Sequence, residues 1–126
     1  MVTMGESFPK SSRLRKPREF QVVEAQGRVT ADDVLVVKAI CNELGFTRLG
    51  ISVNKRFGGA VVRNRWKRII RDAFRRMYQQ LPQGLDLVVK PRRGATLDSH
   101  QVTASLIKLA KAMSRRFNLP PGSGQS

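Results

Sequence analysis

A dense run of cations lies in the middle of this 126-residue chain, where residues 55–76 read KRFGGAVVRNRWKRIIRDAFRR. The run holds nine lysines and arginines against one acid, Asp72. A surface of that charge density repels itself unless a polyanion neutralises it, so it favours binding to the phosphates of nucleic acid. The candidate binding residues are Lys55, Arg56, Arg63, Asn64, Arg65, Lys67, Arg68, Arg71 and Arg75.

Residues that could support catalysis or hold a metal are sparse by comparison. His100 is the only histidine, and without Cys or His partners it cannot form a structural zinc site. No two acids stand in a motif typical of a two-metal nuclease centre, and Asp98 is better placed to cap the helix that follows it. We therefore predict no catalytic residue and no metal site in the protein.

The distribution of charge and the single cysteine restrict the class of protein further. The formal net charge is +15, of which residues 51–126 carry +13 and residues 1–50 only +2. This asymmetry favours a directed face for nucleic acid. Cys41 is the only cysteine, so no intrachain disulfide can form and a reducing compartment is indicated. We find neither an apolar stretch of about 18 residues nor a signal-peptide core, and we expect a cytoplasmic protein that binds no membrane.

The elements that position these residues follow from hydrophobic periodicity. Helices are predicted over about 17–26, 60–80 and 98–117, and strands over 34–41, 47–54 and 85–89. We expect strand 34–41 to be buried on both faces and residues 42–46 to form a hairpin turn to the next strand. The order predicts one α/β sandwich domain over residues 13–117, between a flexible arm (1–12) and a disordered tail (118–126).

The central helix and the strand before it each have two distinct faces. One side of the helix carries the cations, and the other is an apolar stripe fit for burial on a sheet, made of Val62, Trp66, Ile69, Ile70, Ala73 and Met77. In strand 47–54 the face that bears Gly50 and Ser52 is almost free of side chains, so an extended segment could lie across it. Coverage of that face by the first helix is an equally good interpretation.

The tripeptide Arg63-Asn64-Arg65 resembles the RNR signature of the bacterial ribonuclease P protein family, because it follows a Lys-Arg-Phe-Gly-Gly-Ala turn and precedes further cations. Three other segments are similar to that family in order and spacing: Leu14–Lys16, Glu19–Gln21 and Leu49–Val53. The resemblance covers about 100 of the 126 residues. It implies a fold similar to domain 2 of ribosomal protein S5, ordered α-β-β-β-α-β-α, with a left-handed βαβ crossover where right-handed ones are the rule.

The same resemblance implies a non-catalytic protein subunit that assembles with a catalytic RNA. Together they would remove the 5′ leader of precursor tRNA by hydrolysing one phosphodiester bond. Mg²⁺ is expected to be held mainly by the RNA subunit, and no obligate protein partner is evident. The alternative is a ribosomal or other structural RNA-binding protein without processing activity.

Site residues also follow from the resemblance. The RNR region would face RNA, and a cleft for the leader would comprise Phe20, Leu35, Val37 and Ser52. A secondary basic cluster is formed by Lys90, Arg92 and Arg93, for which RNA contact and a solvated loop are both open.

Two residues depart from the family pattern. Glu24 stands where an aromatic residue commonly follows Phe20 by one helical turn, and Val37 stands where an aromatic is also common. Base stacking on an aromatic side chain is worth roughly 1–3 kcal/mol per base. We therefore expect charge to replace part of the stacking in this cleft.

Overall fold

The computed structural model describes residues 12–118, which contain three α-helices and four strands. Their order is α1 (Pro17–Gln26), β1 (Arg28–Ala31), β2 (Leu35–Cys41), β3 (Arg48–Ile51), α2 (Ala60–Met77), β4 (Leu85–Pro91) and α3 (Ser99–Arg116). Short 3₁₀ turns at Lys55–Phe57 and Tyr78–Gln80 flank α2. The α/β class and the order α-β-β-β-α-β-α are confirmed.

The predicted arm and tail lie outside the described residues, except at their inner ends. Ser12 was assigned to the arm, yet it is fully buried and its hydroxyl lies 3.1 Å from the hydroxyl of Tyr78. A buried hydroxyl needs such a partner. The packed domain therefore includes Ser12, and the predicted boundary was too late in the chain.

The four strands form one sheet in the spatial order β1-β2-β4-β3. Strand β2 pairs antiparallel with β1 and with β4, and β3 pairs parallel with β4. The hairpin predicted at residues 42–46 was therefore wrong, because β4 lies between β2 and β3. The strand that is buried on both faces is β4 and not β2, whose residues alternate between full and partial burial. The hand of the β3–α2–β4 crossover stays a prediction.

Helices α2 and α3 pack on one face of the sheet and bury the larger apolar core. Trp66 is 3% exposed and meets the ring of Phe57 edge-on, with centroids 6.2 Å apart. Val62 was predicted to be in this core but is 39% exposed, because it lies in the first turn of α2 beside Gly58. The remaining helical contributions to the core are Ile70, Ala73, Phe74, Val102, Leu106, Leu109, Ala110 and Met113.

Helix α1 packs on the opposite face of the sheet, where Val23 joins Leu14 and Val88 in a second, smaller cluster. Pro17 is preorganised for the first helical turn. Glu19 closes that turn by accepting the backbone N–H groups of Arg15 at 2.9 Å and Lys16 at 3.0 Å. The backbone donors of Lys16 and Arg15 lower the pKa of Glu19, so the carboxylate stays ionised in its capping role.

A largely buried ion-pair network ties α1 to the sheet. Asp86 on β4 is 4% exposed and accepts two hydrogen bonds from Arg48, at 2.8 Å from Nε and 2.7 Å from Nη2. The side-chain amide of Asn42 donates a third at 2.8 Å. The remaining nitrogen of Arg48, Nη1, reaches Glu19 on α1 at 3.0 Å. One guanidinium thus connects β3, β4 and α1.

We predict that Asp86→Ala lowers the free energy of unfolding by about 3 kcal/mol, the low end for breaking a buried pair, because Arg48 keeps some contact with water. Urea denaturation measures this loss. Asp33→Ala is the control: Asp33 is exposed, and its change should stay within about 0.5 kcal/mol. A loss below about 1 kcal/mol for Asp86→Ala would show that the network contributes little to stability.

Candidate nucleic-acid interface

A tight turn between β3 and α2 sets the direction in which the cationic helix leaves the sheet. The side chain of Asn54 accepts the N–H of Arg56 at 2.8 Å and so starts the 3₁₀ turn. Gly58 has a φ of 131°, which side-chain-bearing residues rarely adopt. Gly59 then caps α2 without a side chain, so the backbone at the start of the helix is left uncovered.

Three exposed polar side chains lie together on the N-terminal half of α2. Asn64, Arg65 and Arg68 are exposed, and with Val61 they line a shallow depression of about 290 Å³. Val61 itself is 70% exposed. Two residues of the RNR motif, Asn64 and Arg65, together with Arg68 thus present an amide and two guanidinium groups around an apolar side chain, a surface that can contact phosphates and sugars.

Two other predicted cations of α2 have partners within the chain. Arg63 donates from Nε to the carbonyl of Gly58 at 3.2 Å, which reinforces the turn. Arg75 pairs with Asp72 at 3.0 Å across one turn of the helix. The structure therefore separates these two residues from Asn64, Arg65 and Arg68, although all were predicted on equal terms.

The other side of the α2 cationic face borders a cleft at the edge of the sheet. Lys67 and Arg71 line this cleft of about 190 Å³, whose remaining walls come from the start of the domain, α1 and β3: Arg13, Leu14, Phe20, Leu49, Gly50 and Ile51. A Cβ on Gly50 would lie 2.7 Å from two ring atoms of Phe20. Helix α1 therefore covers Gly50 through Phe20, and the absence of a side chain there makes room for this ring. Ser52, further along, stays partly exposed.

Three of the four residues predicted for the cleft do not line it, and Ser52 is one of them. Leu35 and Val37 are fully buried in the core beneath α2 and α3, on the face of the sheet opposite Phe20. Because strand side chains alternate, an error of one position moves a residue to the other face. The residues of β2 on the α1 face are Val36, Lys38 and Ile40. Lys38 could have indicated which residues of β2 face away from the core, since a lysine inside an apolar run points toward solvent.

Glu24 binds the two lysines on this face of the sheet. Its carboxylate lies 2.7 Å from Nζ of Lys38 and 2.6 Å from Nζ of Lys90. Partial burial raises the pKa of Glu24, but hydrogen bonds from the two lysines outweigh it, and the net pKa is below the ordinary value. From the sequence we expected positive charge to replace part of the base stacking in the cleft. Glu24 opposes this, because its negative charge is paired with both lysines.

The predicted secondary basic cluster is not one cluster. Lys90 faces Glu24, whereas Arg92 turns toward the β1–β2 loop, where its backbone N–H donates to Val34 at 2.8 Å. Arg93 joins a hollow of about 340 Å³ together with Asn54, Arg56, Phe57, Pro91 and Gly94. Pro91 ends β4 and turns the chain, so Lys90, Arg92 and Arg93 do not share one surface although they are close in sequence. Arg56 and Arg93, distant in sequence, are the pair that the fold brings together.

The acids of the described domain do not form a metal centre. Across residues 12–118, no group of three or more His, Cys, Asp or Glu side chains converges. Glu19, Glu24 and Asp86 instead pair with lysine or arginine. Within the same part of the chain, no helix is long and apolar enough to cross a membrane.

A cationic helix beside a partly apolar cleft on a four-stranded sheet defines a small α/β nucleic-acid-binding protein, and the comparisons identify its family. The ribonuclease P family model matches residues 8–114. The chain belongs to the ribonuclease P protein family, the protein subunit of the ribonucleoprotein endoribonuclease of tRNA 5′ processing.

Individual relatives agree with this family. The ribonuclease P protein component of Thermotoga maritima is 41% identical over 90 residues, 71% of this chain and 77% of that protein. The solved RNase P protein of Thermotoga maritima superposes with a TM-score of 0.75 at 35% identity, covering 79% of this chain and 96% of its own. That of Staphylococcus aureus gives a TM-score of 0.71 at 34% identity, covering 82% and 96%.

We predict that Arg68→Ala lowers the salt dependence of RNA binding, by roughly 0.7–0.9 in the slope of log K against log salt for each phosphate that the variant no longer binds. Arg75→Ala is the matched control on the same helix, because Asp72 already neutralises Arg75, and its slope should stay near the wild-type value. Titrations at several salt concentrations measure both. Equal decreases in slope for the two variants would show that position on α2 does not matter.

Proposed function

We propose that the outer face of α2 binds the catalytic RNA and that the cleft beside Phe20 receives the single-stranded 5′ leader of precursor tRNA. The observation that carries this proposal is the position of Lys67 and Arg71, which extend the cationic face of α2 to the wall of the cleft that Phe20 lines. Single-stranded RNA is typically held with its bases on apolar or aromatic surface and its phosphates on cations at the edge. This cleft offers both.

The protein contributes positioning in this proposal, and the RNA contributes the chemistry. Mg²⁺, held mainly by the RNA subunit, would stabilise charge at the scissile phosphate. The acids of the described domain do not suit that task, because those on the α1 face of the sheet are bound to lysine or arginine. By lowering the repulsion between two RNA chains, the cations of α2 would reduce the Mg²⁺ concentration that the reaction needs. The site of action would be the cytoplasm.

Reconstitution with the cognate RNA tests this proposal. We expect no cleavage of precursor tRNA by the protein alone, and cleavage by the assembled particle at a lower Mg²⁺ concentration than the RNA alone requires. Cleavage rates at low Mg²⁺ measure the effect. Equal rates with and without the protein would contradict the proposal.

Binding measurements on the reconstituted particle with Phe20→Ala test whether the cleft receives the leader. The substitution should weaken binding of leader-bearing precursor by about 5- to 150-fold, the equivalent of stacking one base, and leave mature tRNA nearly unaffected. Ser52→Ala is a milder change beside the same cleft and should cost much less. An equal loss for precursor and mature tRNA would mean that Phe20 serves packing only.

A further inference from the structure

Glu24 is an acid inside a surface that is otherwise suited to a polyanion. We propose that Glu24 is an affinity-determining residue of the sheet face beside the cleft, because its carboxylate occupies the place between Lys38 and Lys90 that an RNA phosphate would otherwise take. The inference rests on the proposed function, since it assumes that the cleft receives the leader. Near these two lysines the leader would be held by base and sugar contacts more than by phosphate contacts.

The geometry uses both oxygens of the carboxylate. Oε1 lies 2.7 Å from Lys38 on β2 and Oε2 lies 2.6 Å from Lys90 on β4. The three side chains are 24–32% exposed, so solvent screens the pairs less than it screens fully exposed ones. Two ammonium groups reached by one carboxylate are close enough to be reached by one phosphate group as well.

The Glu24 carboxylate lies on the path that an RNA strand bound beside Phe20 would follow. Glu24 follows Phe20 by four residues in α1, and residues four apart lie on the same side of a helix. The register of the sheet sets Lys90 opposite Val36 and Lys38 opposite Val88, so the lysines are diagonal neighbours on the same face. A leader RNA that extends from the ring of Phe20 along α1 would therefore next contact Glu24 and its two lysines.

Glu24 is not the only residue that holds α1 on the sheet. Val23 is fully buried against Leu14 and Val88, and Glu19 is bound to Arg48 at the other end of the helix. The contribution that Glu24 alone makes is electrostatic. It relieves the repulsion between two like charges on neighbouring strands, cancels one of their two positive charges and occupies the position between them that an incoming phosphate would take.

The test measures binding of leader-bearing precursor and of mature tRNA to the assembled ribonucleoprotein over a series of salt concentrations, with wild-type protein and with Glu24→Gln. The substitution keeps the shape of the side chain and removes its charge. We expect precursor affinity to rise about tenfold at 0.1 M salt. The slope of log K against log salt should steepen by roughly 0.7, the value for one newly bound phosphate. Affinity for mature tRNA should not change.

Glu19→Gln is the matched control. It removes the same charge from the same helix, but Arg48 remains bound to Asp86 at 2.7 Å, so no cation of the sheet face is released. Its salt slope should equal that of the wild type. A change in slope with Glu19→Gln as large as that with Glu24→Gln would assign the effect to net charge and overturn the inference.

Three further outcomes would also overturn it. Glu24→Gln that folds and binds precursor with unchanged or lower affinity and an unchanged slope would make Glu24 a structural tether. If Glu24→Gln does not fold, Lys90→Gln decides: its slope should match the wild type, because Glu24 already occupies the place where a phosphate would contact Lys90, and a decrease of roughly 0.7 contradicts this. If wild-type protein does not favour precursor over mature tRNA, the proposed function fails and the inference with it.

Discussion

Burial of β4 on both faces is the constraint on which the rest of the structure depends. Six of its seven residues are buried, so the sheet needs helices on both sides. Helices α2 and α3 cover one face and α1 covers part of the other. This arrangement turns the cationic side of α2 outward and leaves the part of the opposite face beyond α1 open. Both candidate binding surfaces are consequences of where β4 is placed.

Acidic residues decide which cations remain available to RNA. The chain has 24 basic and nine acidic residues, and the acids are not spread evenly among them. Glu19 and Asp86 bind Arg48, Glu24 binds Lys38 and Lys90, and Asp72 binds Arg75. These pairs remove charge from the sheet face and from the end of α2. The outward side of the first turns of α2 keeps its charge, which is where the RNR motif lies.

Local sequence patterns predicted the helices well, whereas contacts between residues distant in the sequence could not be predicted from such patterns. Pro17 and Glu19 correctly marked the start of α1, and Asp98 caps α3 as expected, accepting the N–H of Gln101 at 3.1 Å. The hairpin at residues 42–46 failed because strand order depends on which strand is most apolar on both faces, a property of the whole sheet. Leu35 and Val37 were placed in the cleft on the family resemblance, and the alternation set by Lys38, which points away from the core, was not used to correct it. The ion pairs of Glu24 join residues 14 and 66 positions apart, and no local pattern reports such contacts.

The central claim is that two surfaces of one small domain bind two different RNAs, and directed cleavage from tethered iron chelates tests it most directly. Cys41 is exposed and would first be replaced by serine, so that a single cysteine at Asn64 or at Ser52 carries the reagent. We predict that a chelate at position 64 cuts the catalytic RNA and that one at position 52 cuts the 5′ leader of bound precursor tRNA. The same RNA cut from both positions would contradict the claim.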